Sequence, residues 1–135
     1  MKITDLKPTI VWKFFHQVTQ VPRPSKKEGK MIEFLESFAK EYKIAIKKDE
    51  AGNLLMSKPA TPGMEDRPVV VLQSHMDMVC EKNNGTKHDF DNDPIETIVD
   101  GEWLRANGTT LGADNGIGVA AELALLASDD IQHGP

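Results

Sequence analysis

Pro68-Val-Val-Val-Leu72 is a short, uninterrupted apolar run in which three β-branched residues follow a proline. Such a run is typical of a strand that is buried on both faces, because a strand with one solvated face alternates apolar and polar residues. Strands of this kind lie inside α/β sheets and are flanked by helices. The run therefore predicts a buried strand at 68–72 and favours an α/β architecture.

Two helices are predicted before this strand. The first begins near Pro8, a residue favoured in the first turn, and the segment Val21-Pro-Arg-Pro24 ends it. The second is predicted to begin at Ser25, because Ser25 and Glu28 have the spacing of a capping box. The apolar face of the first helix consists of Ile10, Val11, Phe14, Phe15 and Val18.

Two hairpins and a third helix complete the pattern. Residues 44–48 and 53–57 read as strands joined by a turn that ends at Gly52, and a second hairpin over 95–105 turns on Asp100-Gly101. Residues 81–93 are polar and predict an exposed loop. An Ala/Leu-rich helix follows from Ile117 to Leu126, with Asp114 or Asn115 at its cap. This order of elements is typical of an α/β or α+β domain.

Composition excludes several classes of function. The 135 residues suit one domain, and 39% hydrophobic residues allow a modest core. The net charge of −5 comes from mixed acidic and basic residues, so there is no basic stripe for nucleic acid. Cys80 is the single cysteine, so no disulfide forms within the chain. Without a secretory signal or an apolar membrane span, we expect a cytoplasmic protein with no membrane partner.

The segment Ser74-His-Met-Asp77 follows the predicted strand, where α/β sheets commonly present functional groups. Residues two apart on a strand point to the same side, so His75 and Asp77 can share a small space. A neutral imidazole binds zinc, and a carboxylate often accepts a hydrogen bond from its second nitrogen. The alternative is that a histidine and an aspartate merely end a strand, and this short motif alone does not decide between the two.

A second candidate segment is Gly108-Thr-Thr-Leu-Gly-Ala-Asp-Asn-Gly-Ile-Gly118. Asp114 lies at the mouth of a helix, and its ionised carboxylate could bridge two cations, as two-metal hydrolases require. The alternative is an ordinary N-cap aspartate after a glycine-rich turn. The glycines match neither phosphate-binding pattern, and the acidic residue would repel phosphate.

Taken together, these segments resemble the di-zinc aminopeptidase/carboxypeptidase-like hydrolases, a group that includes aminoacylases, peptidase T and carnosinases. Within that group the sequence is most similar to the bacterial aminoacyl-histidine dipeptidases. The stretches that carry the resemblance are 21–25, 73–82, 88–90, 93–95, 100–105 and, most specifically, Asn107-Gly-Thr-Thr-Leu-Gly-Ala-Asp-Asn-Gly-Ile-Gly118. The resemblance implies an α/β catalytic domain with a mixed sheet flanked by helices, of which residues 1–135 form the N-terminal part.

The resemblance also implies roles for individual residues. It makes His75 a ligand of one metal, Asp114 the bridge between both metals, and Asp77 the carboxylate that orients His75 and tunes the metal-bound water. The implied cofactor is zinc, two ions per full site, with cobalt or manganese as possible substitutes. The implied reaction is the hydrolysis of dipeptides of the β-alanyl-histidine type, while a deacylase, a tripeptidase or a non-catalytic relative remain alternatives.

Some parts of the family pattern are missing from this chain. The family's general base belongs to a pair of adjacent glutamates downstream of the Asp-Asn-Gly helix, and no such pair occurs here. The later ligands and the lid domain through which relatives dimerise are missing too. We therefore expect a segment of a longer, homodimeric enzyme that binds zinc weakly and does not hydrolyse peptides by itself.

Four other residues invite a functional reading. Cys80 could supply a thiolate ligand, but a small buried thiol is the favoured interpretation. His88 could touch substrate, although a solvated loop histidine is favoured, and His16 is read as a residue of the helix surface. Trp103 is predicted to anchor the core.

Overall fold

The computed structural model describes all 135 residues and combines helices with strands, as predicted. None of the helices has both the length and the apolarity that a bilayer span requires. The helices are a short 3-10 helix at Ile3–Asp5, α1 at Thr9–Thr19, α2 at Gly29–Glu41 and α3 at Ala113–Ala127. The strands are β1 at Ala45–Lys48, β2 at Leu54–Ser57, β3 at Thr97–Asp100 and β4 at Trp103–Ala106.

The core lies where the apolar faces of the three helices meet. α1 packs along α3, and α2 joins it through aromatic contacts, with the rings of Phe14 and Phe38 edge to face at 5.4 Å between centroids. Of the predicted apolar face of α1, Phe14, Phe15 and Val18 are buried and Val11 is half-buried, whereas Ile10 is 36% exposed. The buried cluster comprises Ile3, Phe14, Phe15, Val18, Met31, Leu35, Phe38, Val119, Ala120, Leu123 and Ala124.

Both predicted hairpins are present as separate antiparallel pairs. β1 pairs with β2 and β3 with β4. Gly52 has φ of +89° at the first turn, a backbone conformation that glycine adopts without a steric penalty. The alternation of β4 turns Leu104 toward the core. Trp103 is 78% exposed, so its prediction as a core anchor is wrong.

The buried strand predicted at 68–72 does not form. Residues 69–72 are more than half exposed and pair with no other strand. The amide of Val70 donates instead to the carbonyl of Pro135 at 3.2 Å. A strand inside a sheet requires hydrogen-bonded neighbours on both sides, and β1 to β4 pair only with each other. The run therefore has the composition of an interior strand, but no strand lies beside it to accept and donate the hydrogen bonds of a sheet.

The predicted capping box at the start of α2 is also wrong, because the helix begins four residues later at Gly29. Lys26 has φ of +68°, which interrupts a helix starting at Ser25. The carboxylate of Glu28 accepts a hydrogen bond from the amide of Lys26 at 2.7 Å rather than from Ser25. The hydroxyl of Ser25 is consequently free to act elsewhere.

Candidate metal centre

His75 lies between two carboxylates. Its Nδ1 is 2.9 Å from Oδ1 of Asp77, and its Nε2 is 3.0 Å from Oδ1 of Asp114, a residue 39 positions later in the chain. Hydrogen bonding to Asp114 raises the pKa of His75, and Asp77 adds to the effect. The fold thus brings together the three residues that the sequence singles out.

Asp77 is held from its other side by Ser25, whose hydroxyl donates to Oδ2 in a short hydrogen bond. The bond to Ser25 lowers the pKa of Asp77, and His75 lowers it further. The carboxylate is therefore ionised at neutral pH, and its orientation is set by two partners. Ser25 was interpreted as a helix cap in the sequence, where nothing marks it as a partner of Asp77.

The start of α3 presents Asp114 to solvent. Asp114 and Asn115 have non-helical backbone angles, and Asn115 Oδ1 accepts a hydrogen bond from the amide of Gly118 at 3.1 Å. Asn115 is thus the residue that caps the regular part of the helix. The side chain of Asp114 is 95% exposed and contacts His75.

The donor set fits part of a zinc site. Two donors bound at about 2.0–2.1 Å to one tetrahedral zinc lie about 3.3 Å apart, close to the 3.0 Å between His75 Nε2 and Asp114 Oδ1. Asp77 lies behind the imidazole, at the nitrogen that faces away from Asp114, which suits an orienting partner rather than a ligand. No group of three or more His, Cys, Asp or Glu side chains is arranged to hold a metal. The chain therefore offers two candidate ligands and the side chains that orient them.

Arg23 belongs to the site, although the sequence indicates no separate role for it. It lies in the segment between α1 and α2, is 1% exposed, and donates to the carbonyls of Met76, Asp77 and Gly112. The only sequence signal is an arginine between two prolines, within one of the stretches that carry the resemblance.

Cys80 and His88 do not join the site. Cys80 is half-buried, its sulfur is 3.7 Å from the carbonyl of Met78, and burial raises the pKa of its thiol. His88 packs against Phe90 with ring centroids 4.4 Å apart, and its Nε2 is buried without a partner. His88 therefore lies in the predicted loop, but it is half-buried rather than fully solvated. His16 is half-buried, with Nδ1 also enclosed and unpartnered.

No family model matches the sequence, but comparison with known proteins finds similar peptidases. The chain is 49% identical over 134 residues to the cytosol non-specific dipeptidase of Escherichia coli (strain K12), covering 99% of this chain and 28% of the relative. The crystal structure of aminoacylhistidine dipeptidase from Vibrio alginolyticus superposes with a TM-score of 0.97 at 49% identity. That match covers 99% of this chain and 27% of that one. The resemblance to the aminoacyl-histidine dipeptidases is confirmed.

More distant peptidases share the fold. A tripeptidase from Staphylococcus aureus superposes with a TM-score of 0.73 at 25% identity, covering 93% of this chain and 34% of that one. An aminopeptidase from Bacillus cereus, at 22% identity and a TM-score of 0.72, shows the same fold with the same coverage. The predicted α/β class is confirmed. This chain spans little more than a quarter of the length of its 49% identical relatives.

Proposed function

We propose that the full-length protein is a cytoplasmic zinc-dependent dipeptidase and that residues 1–135 form the N-terminal part of its catalytic domain. The observation that carries this proposal is the contact between His75 Nε2 and Asp114 Oδ1, with Asp77 behind the imidazole. Its support from the comparisons is that the E. coli relative is a cytosolic dipeptidase and that the V. alginolyticus relative is an aminoacylhistidine dipeptidase.

In this proposal His75 and Asp114 bind the metal. Two zinc ions, replaceable by cobalt or manganese, would polarise the scissile carbonyl and make a water molecule more acidic. Asp114 has two carboxylate oxygens on an exposed side chain, so it can bridge both ions. Asp77 accepts the hydrogen bond from Nδ1 and leaves Nε2 as the ligand atom. Ser25 holds Asp77 in that orientation.

For the substrate we propose Xaa-His dipeptides of the β-alanyl-histidine type. This choice is supported by the match to the aminoacylhistidine dipeptidase of V. alginolyticus. The second candidate is a tripeptidase or deacylase activity, which the shared fold of the S. aureus tripeptidase favours. We further propose a homodimer of the full-length protein.

The test is hydrolysis by the full-length protein together with its metal content. We expect His75→Ala and Asp114→Ala each to lower kcat/KM for β-alanyl-histidine by at least about 100-fold, because losing an outer partner of a ligand alone costs about 10–100-fold. Asp77→Asn should lower kcat/KM by about 10–100-fold, because Asp77 is such an outer partner. Zinc per subunit, measured by mass spectrometry, should fall in the two alanine variants.

Matched controls are His16→Ala on α1 and Asp129→Ala after α3, which remove the same side-chain types outside the site. Hydrolysis of β-alanyl-histidine at the same rate by wild type, His75→Ala and Asp114→Ala would contradict the site. Hydrolysis of tripeptides or acylated amino acids in preference to dipeptides would select the second candidate.

A further inference from the structure

Arg23 is the buried charged residue of this chain, and its guanidinium links the two segments that carry the candidate ligands. Nη1 donates to the carbonyls of Met76 at 3.3 Å and Asp77 at 3.4 Å, next to His75 in the chain. Nη2 donates to the carbonyl of Gly112 at 2.8 Å, two residues before Asp114. One side chain therefore holds both backbones.

The backbone around Arg23 reinforces this link. The amide of Met78 donates to the carbonyl of Arg23 at 3.0 Å, and the amide of Ser25 donates to the carbonyl of Met78 at 3.3 Å. Met78 itself is 3% exposed. The arginine and the segment after His75 are thus fixed to each other by main-chain as well as side-chain bonds.

The glycines beside Asp114 make room for the guanidinium. A Cβ at Gly116 would lie 2.8 Å from Arg23 Nη2, and one at Gly112 would lie 2.5 Å from it. Gly116 has an ordinary φ, so its lack of a side chain is explained by space rather than by backbone conformation. The Asp-Asn-Gly turn is therefore shaped around the arginine.

Stability alone does not account for a charge at this position. The hydrogen-bond acceptors of Arg23 are neutral carbonyls, its Nε has no partner, and burial lowers its pKa to about 10, so it is charged at neutral pH. An apolar residue of similar volume would avoid the cost of burying a charge, but it would leave the three carbonyls without their donor. What an apolar side chain cannot do is donate hydrogen bonds to the carbonyls of Met76, Asp77 and Gly112 at once.

We propose that Arg23 is a positioning residue, which holds the His75 and Asp114 segments at the separation that metal binding requires. The proposal rests on the proposed function, since it concerns the same two ligands. Arg23 contacts backbone carbonyls beside the ligands, so it acts through those segments. Its removal should loosen the pair without unfolding the helical core.

The test compares Arg23→Met and Arg23→Lys with the wild type in the full-length protein. We expect Arg23→Met to weaken zinc binding about 10–100-fold, the range found for outer partners of metal ligands, as measured by competition with a chromophoric chelator. Its kcat should fall by a similar factor while KM changes by less than about threefold, because the arginine orders the reacting groups. Arg23→Lys should recover part of the zinc affinity.

The matched control is Arg105→Met, which removes an exposed arginine paired with Asp100 in the second hairpin. It should leave zinc affinity and kcat unchanged. Thermal unfolding of the metal-free proteins separates positioning from folding. Arg23→Met should still unfold cooperatively in the metal-free state, even if its melting temperature falls because three carbonyls lose their donor, while its zinc affinity is about 10–100-fold lower.

A folded Arg23→Met protein with wild-type zinc affinity and kcat would overturn the proposal. If Arg23→Met does not fold, Arg23→Lys decides: lowered zinc affinity in a folded protein supports positioning, and wild-type affinity overturns it. Failure of the proposed function gives a different result, because the wild type itself would then neither bind zinc nor hydrolyse dipeptides.

Discussion

The start of α3 carries two adjacent side chains, Asp114 and Asn115, that are both good helix caps. Propensity cannot choose between them, which left the cap open at the sequence level. In the structure Asn115 accepts the amide hydrogen bond of Gly118, and Asp114 is left unused by the helix. The ordinary reading of Asp114 as a cap therefore fails on geometry, and its carboxylate is available to His75.

Cys80 provides a pH-dependent prediction. Burial raises the pKa of the thiol above its ordinary value of 9.0, so less reactive thiolate is present at neutral pH. We expect iodoacetamide to alkylate Cys80 at pH 7 more slowly than it alkylates free N-acetylcysteine. The rate should rise about tenfold per pH unit while the pH stays below the pKa, and it should level off at a higher pH than the rate of the unfolded protein does.

Because Cys80 is the single cysteine, whole-protein mass spectrometry gives its rate without ambiguity. The same protein unfolded in guanidinium chloride is the control and should react like the free thiol. Alkylation of the folded protein faster than of N-acetylcysteine at pH 7 would show an activated thiolate instead.

Local signals predict the helices and hairpins correctly, but the strand that they predict at 68–72 does not form. The helical spacing of Phe14 and Val18 and the turn glycine at Gly52 act within a few residues, so their outcome can be read along the chain. Pairing of a central strand depends on distant strands, and residues 69–72 have none. The start of α2 was missed because Ser25 hydrogen-bonds Asp77, 52 residues away.

The exposed run at 69–72 predicts self-association of residues 1–135. Val69, Val70 and Val71 are 68–76% exposed and lack strand partners, which makes them a template for pairing with another chain. We expect the purified chain to form concentration-dependent oligomers in light scattering. Val69→Lys with Val71→Lys should reduce them, because charges on an unpaired strand oppose edge-to-edge pairing.

Trp103→Lys is the matched control for the lysine pair. It removes a side chain that is 78% exposed and belongs to a strand already paired with β3. Equal loss of oligomers in the control and in the double lysine variant would show that general hydrophobicity, rather than the 69–72 run, drives association.

The candidate site belongs to the molecule as a whole, since its residues come from the α1–α2 connection, residues 74–77 and the start of α3. The sequence supplied His75, Asp77 and Asp114 as separate weak signals, and only the family resemblance joined them. Arg23 and Ser25 were not predicted as site residues because their roles arise from contacts that span 52 to 89 residues. Contacts between such distant residues produce no repeating pattern of residue types that could be recognised in the sequence.

Residues 1–135 alone should be a poor enzyme. The two candidate ligands, His75 and Asp114, fall short of the three that a catalytic zinc usually has, and no group of three His, Cys, Asp or Glu side chains is arranged to hold a metal. We expect the purified chain to bind zinc more weakly than the full-length protein in chelator competition and to show no measurable dipeptide hydrolysis. Turnover of β-alanyl-histidine by residues 1–135 at a rate comparable with the full-length protein would contradict this.

The packing of α1 against α3 has a consequence for the site it supports. The hydrogen bond from Arg23 to Gly112 joins residues 89 positions apart. Closing a loop of that length costs conformational entropy, which a few polar contacts alone would not offset. Burial of apolar side chains between α1 and α3 closes nearly the same loop. The core therefore sets a high effective concentration of the His75 segment at the Asp114 segment. A substitution that loosens the packing of α1 against α3 would lower that effective concentration, even though the substituted residue makes no contact with the site.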